Sequence, residues 1–282
     1  QVDSKLLGVL IALNAKGVTI IIDLEADFEQ MSIEHREYEH LGLSTLGKAK
    51  AFTSALLLAD QICVHSNYFA TILQNSGYRA KVIPDGWSDK NQLWDKPSVS
   101  RHTLNLGWIG TSGQLEDVIP IRRILTRILR EFPHARLVIG GDVEVCRMFD
   151  ALPESRLLFL PSVSYENYPY LFNQIDVLLN PLRDIAYNRS LSDRWLMEAG
   201  VSLIPWISSP LPTVVAWGAG GLLANTPEEW HSHLRQLVID KNLRDKLGSA
   251  GRQRAEKREM KNLVDQWYRM IYDTWQEKQI NN

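Results

Sequence analysis

Apolar and polar positions in the first third of the chain predict helices and strands in alternation. Residues 6–15 are apolar at a density that favours a helix, and the β-branched run at 18–22 then predicts a buried strand. Residues 61–64 and 80–83 predict two more short strands, with a helix between them that begins after Ser66. Strands separated by helices predict a parallel sheet, because parallel neighbours need a crossover connection.

The pattern resumes after a break at residues 87–102, where Ser, Asp, Lys and Pro replace the periodic apolar positions and predict a linker. Residues 104–109 then predict a strand. The helix after it carries one apolar face, formed by Ile121, Ile124, Leu125, Ile128, Leu129 and Phe132. Further strands are predicted at 137–140, 157–160, 177–179 and 203–207. This alternation predicts a doubly wound α/β domain whose parallel sheet is covered on both faces.

The break and the chain length of 282 residues together predict two domains. We assign 1–97 to a partial first domain with its linker, 98–257 to the second domain, and 258–282 to a C-terminal helix that crosses back to the first. That helix carries an apolar stripe that needs a partner surface, formed by Leu263, Val264, Trp267, Tyr268, Ile271 and Trp275.

The first domain is predicted to be incomplete. It offers about three strands, whereas a doubly wound nucleotide-binding domain has about six. The helix at 6–15 has no strand before it. Because an open sheet edge favours pairing with further strands, we expect either a homo-oligomer or a partner chain that completes the first domain.

Composition and charge exclude several classes of protein. The chain is 45% apolar and 23% charged, as in ordinary globular proteins. The 31 Lys and Arg residues nearly balance the 33 Asp and Glu residues, so no nucleic-acid partner is expected. Cys63 and Cys146 lie far apart in or beside apolar stretches, which favours free thiols in a reducing compartment and hence the cytoplasm. The longest apolar stretch, 6–24, is interrupted by polar residues and is too polar to span a bilayer.

Three motif matches are incomplete. Residues 42–49 nearly spell a phosphate-binding P-loop, but Ala49 lacks the hydroxyl that binds magnesium, and no strand leads into the loop. His231 and His233 would point about 200° apart on a helix, so they diverge instead of sharing a metal ion. No G-x-S-x-G nucleophile elbow is present. We therefore expect no metal site and no catalytic serine of that type.

Two segments of the second domain carry binding chemistry. Residues 110–113 join a strand to a helix, where backbone N–H groups can hold a phosphate, although glycines after strands also serve chain reversal alone. Residues 181–200 run from the carboxyl end of a strand through a polar loop into a helix, which is where ligands bind in open α/β sheets. The alternative for this second segment is a surface helix with Ser192 as its cap and Glu198 in solvent.

Together these segments resemble the donor-binding domain of the GT-B glycosyltransferase superfamily, whose group 1 enzymes are mostly retaining and depend on nucleotide sugars. The matching pieces follow the family's order, at 107–111, 137–142, 158–161, 176–182, 192–193, 197–200, 204–205, 209–210, 220–224, 226–230 and 243–248. Residues 18–28, 59–61, Ser66 and 82–86 are similar to the second half of the family's N-terminal domain. The resemblance implies an α/β protein with two Rossmann-like doubly wound domains, the first of them incomplete.

The resemblance also implies roles for individual residues. In the family, a glutamate at the position of Glu198 binds the ribose hydroxyls of the donor. The glutamate that the family places eight residues earlier is Ser190 here, and the Arg and Lys that clamp the diphosphate are absent, so backbone N–H groups and polar side chains would hold the phosphates. The implied donor-binding residues are Gly110, Thr111, Ser112, Asn188, Ser192, Arg194 and Glu198, and the catalytic candidates are Asn188 and Ser190.

The leading hypothesis is a glycosyltransferase of hexosyltransferase type. It would move a sugar from a nucleotide diphosphate sugar to an acceptor that is a glycan, a lipid or a small molecule, without a metal or another cofactor. A sugar-nucleotide epimerase of the same fold is the alternative enzyme. A catalytically silent binding or scaffold subunit is the alternative from another class, because the clamp residues are missing.

Overall fold

A computed structural model describes residues 3–95 and 102–281. The helices are α1 (Ser4–Asn14), α2 (Tyr38–Leu41), α3 (Leu46–Leu58), α4 (Asn67–Asn75), α5 (Leu115–Val118), α6 (Arg122–Glu131), α7 (Val143–Arg147), α8 (Pro169–Phe172), α9 (Ala186–Ser190), α10 (Arg194–Val201), α11 (Pro212–Trp217), α12 (Pro227–Ile239), α13 (Lys241–Glu256) and α14 (Met260–Asn281). The strands are β1 (Ile21–Leu24), β2 (Gln61–Val64), β3 (Ala80–Val82), β4 (Leu104–Gly110), β5 (Ala135–Gly141), β6 (Leu157–Pro161), β7 (Val177–Asn180), β8 (Trp206–Ser208) and β9 (Gly221–Leu223).

The chain divides into two compact units that interleave along the sequence. Unit 1 consists of Gln1–Gly86, Ile185–Asp193 and Met260–Asn282, and unit 2 of Trp87–Asp184 and Arg194–Glu259. The predicted boundary between residues 97 and 98 lies outside the described residues.

Unit 1 contains a parallel sheet in the order β1-β2-β3. Its strand β2 is buried along its whole length and has the predicted bounds. Helix α4 begins as predicted, because the Ser66 hydroxyl accepts a hydrogen bond from the Phe69 N–H at 3.2 Å. Strand β1 begins later than predicted. The N–H of Ile20 donates to the Asp60 carboxylate at 2.8 Å, so a side chain replaces strand pairing at that position.

Helix α14 belongs to unit 1, where Met270 is buried beside Cys63 and Ile83. The predicted apolar stripe is correct for Leu263, which is buried, and for Trp267, which packs beside Met270, but wrong for Val264, Tyr268, Ile271 and Trp275, which are exposed. Leu263, Met270 and Thr274 are buried, whereas the side of the helix that holds Ile271 and Trp275 is about half exposed. The packed face includes a polar residue, and the Thr274 hydroxyl satisfies itself by donating to the Met270 carbonyl at 2.6 Å.

Unit 2 contains a parallel sheet in the order β6-β5-β4-β7-β8-β9. This is the strand order of a doubly wound nucleotide-binding domain, in which the first two crossovers run one way and the later ones run the other. The predicted strand at 203–207 begins only at Trp206, because Leu203 has a φ of 58° and closes the turn after α10. Strand β9 was not predicted, since it has three residues and follows Gly220, which has a φ of 91°.

Part of the predicted linker is packed into unit 2. The indole N–H of Trp87 donates to the Ala255 carbonyl at 2.8 Å, and the Trp87 side chain is buried. Trp94 is also buried, with its ring centroid 5.9 Å from that of Phe172. Residues 87–95 are therefore not the predicted linker but an irregular segment that two buried tryptophans hold against unit 2.

Candidate functional site

The strand order of unit 2 places a crevice between β4 and β7. These strands are neighbours, and the connections that leave them run to opposite halves of the sheet. In open α/β sheets the carboxyl ends of such a pair flank the ligand. The crevice is therefore bordered by the loop after Gly110 and the loop after Asn180.

The loop after β4 differs from the predicted phosphate cradle. Residues 112–114 form a 3₁₀ turn, and the long helix α6 begins only at Arg122, after the single-turn helix α5. The Thr111 N–H donates to the Gln114 side-chain oxygen at 3.3 Å. A Cβ on Gly110 would lie 2.4 Å from that same oxygen and 2.6 Å from the ring of the buried Trp108, which has no room to move, so this position requires glycine. The Gln114 carboxamide thus accepts a hydrogen bond from one of the N–H groups that were predicted to bind a phosphate.

Asp117 connects the two loops that border the crevice. Its Oδ1 accepts hydrogen bonds from the Arg183 backbone N–H at 3.0 Å and from the Arg183 Nε at 3.3 Å. The Asp117 side chain is buried, which holds the loop after β7 against α5. No sequence pattern predicted this link. Its only signal was an acidic residue two positions after Leu115 and directly before Val118, both buried.

Helix α10 carries Glu198, the residue predicted to bind the ribose of the donor. Glu198 is only 3% exposed, so the alternative in which it is solvated is wrong. The Arg194 Nε donates to Glu198 Oε1 at 2.8 Å, one helical turn away. The structure thus brings two of the predicted donor-binding residues together, Arg194 and Glu198.

Tyr168 is a third member of this cluster that sequence analysis missed. The Arg194 guanidinium carbon lies 5.8 Å from the centroid of the Tyr168 ring. Burial and the nearby Glu198 carboxylate raise the pKa of the Tyr168 hydroxyl well above its usual range, although the Arg194 charge lowers it. Tyr168 therefore stays protonated and keeps a donor beside the carboxylate.

The catalytic candidates lie in the segment Ile185–Asp193, which belongs to unit 1. The Ser190 side chain is buried, and its hydroxyl donates to the Tyr187 carbonyl at 2.6 Å and accepts from the Asp27 N–H at 2.9 Å. The Ser66 hydroxyl donates to the Ser190 carbonyl at 3.0 Å. Asn188 is also buried. These bonds fasten the segment to unit 1 and engage the Ser190 hydroxyl in local structure.

Of the remaining predicted residues, Ser192 is partly buried in unit 1. In unit 2, Gly110 ends β4, and Thr111 and Ser112 follow it. Within residues 3–95 and 102–281, no three His, Cys, Asp or Glu side chains gather as metal ligands would. In the same ranges, no helix is long and apolar enough to cross a membrane.

The doubly wound second unit and the Rossmann-like first unit define a GT-B glycosyltransferase fold, as the sequence predicted. The chain belongs to the glycosyl transferase-like family, whose model matches residues 120–267, more than half of the chain. That match includes Tyr168, Arg194 and Glu198, and it begins after the loop that follows β4.

Solved structures share this fold. HepE of Anabaena, in complex with UDP and glucose, has a TM-score of 0.69 at 18% sequence identity, covering 95% of this chain and 75% of that one. Sucrose-phosphate synthase of Thermosynechococcus elongatus gives 0.62 at 14%, covering 93% and 71%. TarM of S. aureus, in a complex that includes UDP, gives 0.69 at 11%, covering 93% and 52%. No curated protein sequence matches the chain.

Proposed function

We propose that this protein is a hexosyltransferase that moves a sugar from a nucleoside diphosphate sugar to a glycan, lipid or small-molecule acceptor. The observation that carries the proposal is the buried Glu198 carboxylate, held by Arg194 in a member of the glycosyl transferase-like family. A buried carboxylate of fixed orientation suits the two vicinal hydroxyls of a ribose. The UDP complexes of HepE and TarM support the same donor class.

In this proposal Glu198 accepts hydrogen bonds from the ribose hydroxyls. A carboxylate accepts several hydrogen bonds at once, so Glu198 can bind the ribose and keep its hydrogen bond from Arg194. The Arg194 side chain is 40% exposed, and its guanidinium has further N–H groups for the diphosphate. In unit 2, the backbone of Gly110 and Ser112 and the Thr111 hydroxyl are the other donor-binding groups proposed, and Ser192 is the one proposed in unit 1.

The chemistry proposed is stabilisation of the leaving diphosphate. Charge that develops on its oxygens would be met by the Arg194 guanidinium and by backbone N–H donors, without a metal or another cofactor. Because the Ser190 hydroxyl is engaged by Tyr187 and Asp27, we assign Ser190 a structural role. Asn188 remains the proposed catalytic candidate.

The test is calorimetric titration of UDP, GDP and ADP, followed by turnover of the matching nucleotide sugar. Glu198→Gln should weaken nucleotide binding by about ten- to a hundredfold, because a charge-assisted hydrogen bond is worth about 1.5–3 kcal/mol. The matched control is Glu256→Gln, which alters another arginine–glutamate pair one turn apart, Arg252 with Glu256 on α13. Equal binding by wild type and a folded Glu198→Gln variant would refute the assignment.

A non-catalytic nucleotide-binding subunit is the second candidate. Two observations favour it, since the Ser190 hydroxyl is used locally and the Gln114 carboxamide bonds to the Thr111 N–H. Nucleotide binding without release of free nucleotide from any donor sugar would identify this function. Release of an altered sugar without acceptor would instead identify an epimerase.

A further inference from the structure

Helix α6 of unit 2 presents a row of arginines to solvent. Arg123, Arg127 and Arg130 follow the i, i+4 and i+7 spacing of one helix face, and Arg122 lies beside the first of them. All four residues are exposed. The opposite face of the helix is apolar and is buried in the core of unit 2. The arginine row is therefore the outer surface of α6.

The charge of the arginine row is not neutralised by acidic side chains. Among residues 3–95 and 102–281, the four guanidinium groups have neither an ion pair nor a side-chain hydrogen bond. The nearest acidic residues along the chain are Asp117 before the row and Glu131 after it. Asp117 accepts hydrogen bonds from Arg183, and Glu131 accepts one from Arg235 of α12 at 2.6 Å. The row therefore keeps its four positive charges.

This arrangement does not stabilise the helix. Like charges one turn apart, as in Arg123 and Arg127, destabilise a helix. Arg122 and Arg123 lie in the first turn of α6, where the helix dipole favours anions over cations. By contrast, two other exposed arginines, Arg79 and Arg147, each lie beside a glutamate. Because the arginine row opposes the stability of its own helix, it indicates a binding partner of opposite charge.

The shape and chemistry of the row favour phosphate groups on an extended surface. The planar guanidinium group donates two parallel hydrogen bonds to a phosphate, which an ammonium group cannot do. At 100° per residue, the four arginines spread over about 140° of the helix surface. Such a surface is convex, whereas sites for small molecules are concave. The row therefore suits an array of phosphates and not a single bound anion.

An exposed isoleucine distinguishes a lipid surface from a nucleic acid. Ile119 begins the 3₁₀ turn that leads into α6, and its side chain is 46% exposed. Side chains three residues apart lie on one line in such a turn, so Ile119 is aligned with Arg122. An apolar side chain can enter the headgroup region of a membrane, but it gains nothing from the phosphates of a nucleic acid. The net charge of −2 for the whole chain also disfavours a nucleic acid.

We propose that α6 attaches this protein to the surface of a membrane that contains anionic phospholipids. The arginine row contacts lipid phosphates, and Ile119 enters the headgroup region. The attachment is peripheral, because the apolar face of α6 stays packed in unit 2. The inference does not rest on the proposed function, since neither Ile119 nor the arginine row belongs to the proposed donor site.

The test is co-sedimentation of the full chain with vesicles of two compositions. One consists of phosphatidylcholine alone, and the other of equal parts phosphatidylcholine and phosphatidylglycerol. We expect binding to the anionic vesicles only, because each arginine near such a surface raises partitioning about fivefold. Added salt should release the protein, because the Debye length falls from about 10 Å at 0.1 M to about 3 Å at 1 M.

Matched variants locate the contact. Arg123→Gln combined with Arg127→Gln should reduce partitioning about 25-fold, and glutamine preserves the helix because its propensity equals that of arginine. The control combines Arg79→Gln with Arg147→Gln, which changes the net charge equally but removes arginines that glutamates already neutralise. It should bind like wild type. Ile119→Ser should reduce partitioning about fivefold and leave the salt dependence unchanged.

Four outcomes would overturn the proposal. Absence of binding to anionic vesicles would do so directly. Equal binding to both kinds of vesicle would assign attachment to an exposed apolar surface instead. Equal losses in the two double variants would show that net charge, and not α6, attracts the membrane. Binding of duplex DNA without binding of anionic vesicles would identify the arginine row as a nucleic-acid contact.

Discussion

Arg194 and Glu198 form a charge-assisted hydrogen bond one turn apart on α10, with Nε 2.8 Å from Oε1, although the glutamate side chain is almost completely buried. The arginine therefore compensates a carboxylate that has little access to water. The pair orients the group that we assign to the ribose.

Arg194→Met should destabilise the protein, because it leaves the Glu198 charge buried without this partner. Loss of one partner of a buried ion pair costs about 3 kcal/mol. The control is Lys241→Met, which breaks the exposed Lys241–Asp245 pair on α13 and should cost less than about 0.5 kcal/mol. Urea unfolding measures both. Equal stability of the two variants would show that Arg194 is not needed to hold Glu198.

Lys278→Met should detach the end of α14 from unit 1. The Lys278 Nζ donates to Asp60 Oδ2 at 2.8 Å, to Asn14 Oδ1 at 3.0 Å and to the Val18 carbonyl at 2.9 Å, and its side chain is largely buried. We expect a loss of about 3 kcal/mol in the free energy of unfolding.

The neighbouring residue provides the control for Lys278→Met. Glu277 pairs with Arg79, and both side chains are about half exposed. Glu277→Gln should therefore change stability by less than about 1 kcal/mol. If chemical denaturation finds equal losses for the two variants, the three contacts of Lys278 contribute nothing beyond a surface ion pair.

Two adjacent residues of α14 test which face of that helix is packed. Met270 is 1% exposed and Ile271 is 50% exposed. Met270→Ala should cost about 2–5 kcal/mol, as buried large-to-small substitutions do, whereas Ile271→Ala should stay within about 0.5 kcal/mol. Thermal and urea unfolding of both variants distinguish the observed face from the predicted stripe, which would reverse the order.

His65 should make the stability of unit 1 depend on pH. Its Nδ1 lies 2.8 Å from the Ile83 carbonyl and its Nε2 lies 3.1 Å from the Asp23 carboxylate, so both nitrogens donate only in the charged ring. Burial lowers the pKa of His65, but the contacts with Asp23 and Ile83 and the charge of Asp85 outweigh it and raise the pKa to about 9.

Because the folded-state pKa of His65 lies above its ordinary value of 6.5, its stabilisation is complete below pH 6.5 and is lost as the pH rises toward 9. The free energy of unfolding should fall between pH 6.5 and pH 8.5. This window ends below the ordinary thiol pKa of 9.0, above which Cys63 would also lower stability, because burial and then the Asp23 charge raise the pKa of its thiol to about 12. His65→Gln should flatten the dependence, and an identical slope in that variant would rule out His65 as its origin.

Local patterns were sufficient to predict the central elements. Strand β2 and the Ser66 cap follow from an apolar run and a hydroxyl at the next helix start, and both depend on neighbouring residues alone. The face of α14 was predicted only at Leu263 and Trp267, because Thr274 supplies its own hydrogen bond and so packs where hydropathy predicts solvent. Trp87 and Trp94 illustrate the same limit, since each anchors a segment that lacks periodicity.

The candidate site was predictable only in part. Glu198 stood out because its position matched a family motif, and its burial agrees with a binding role. Tyr168 and Asp117 gave no such signal, because each acts through a partner distant in sequence, and only the fold brings them together. Ser190 matched a motif position, yet its hydroxyl is engaged by Tyr187 and Asp27.

The interleaving of the two units also sets an order of events during synthesis. Unit 1 needs α14, so residues 1–86 cannot complete their core until the chain has been made as far as residue 281, whereas unit 2 needs nothing beyond Glu259. A ribosome that adds about 5–20 residues per second needs on the order of 10–40 s to cover that distance. During this interval Cys63 of β2 and the neighbouring Ile83 await Met270 of α14, while all residues of unit 2 have already been made. Residues 1–86 therefore precede unit 2 in the sequence but complete their packing after it.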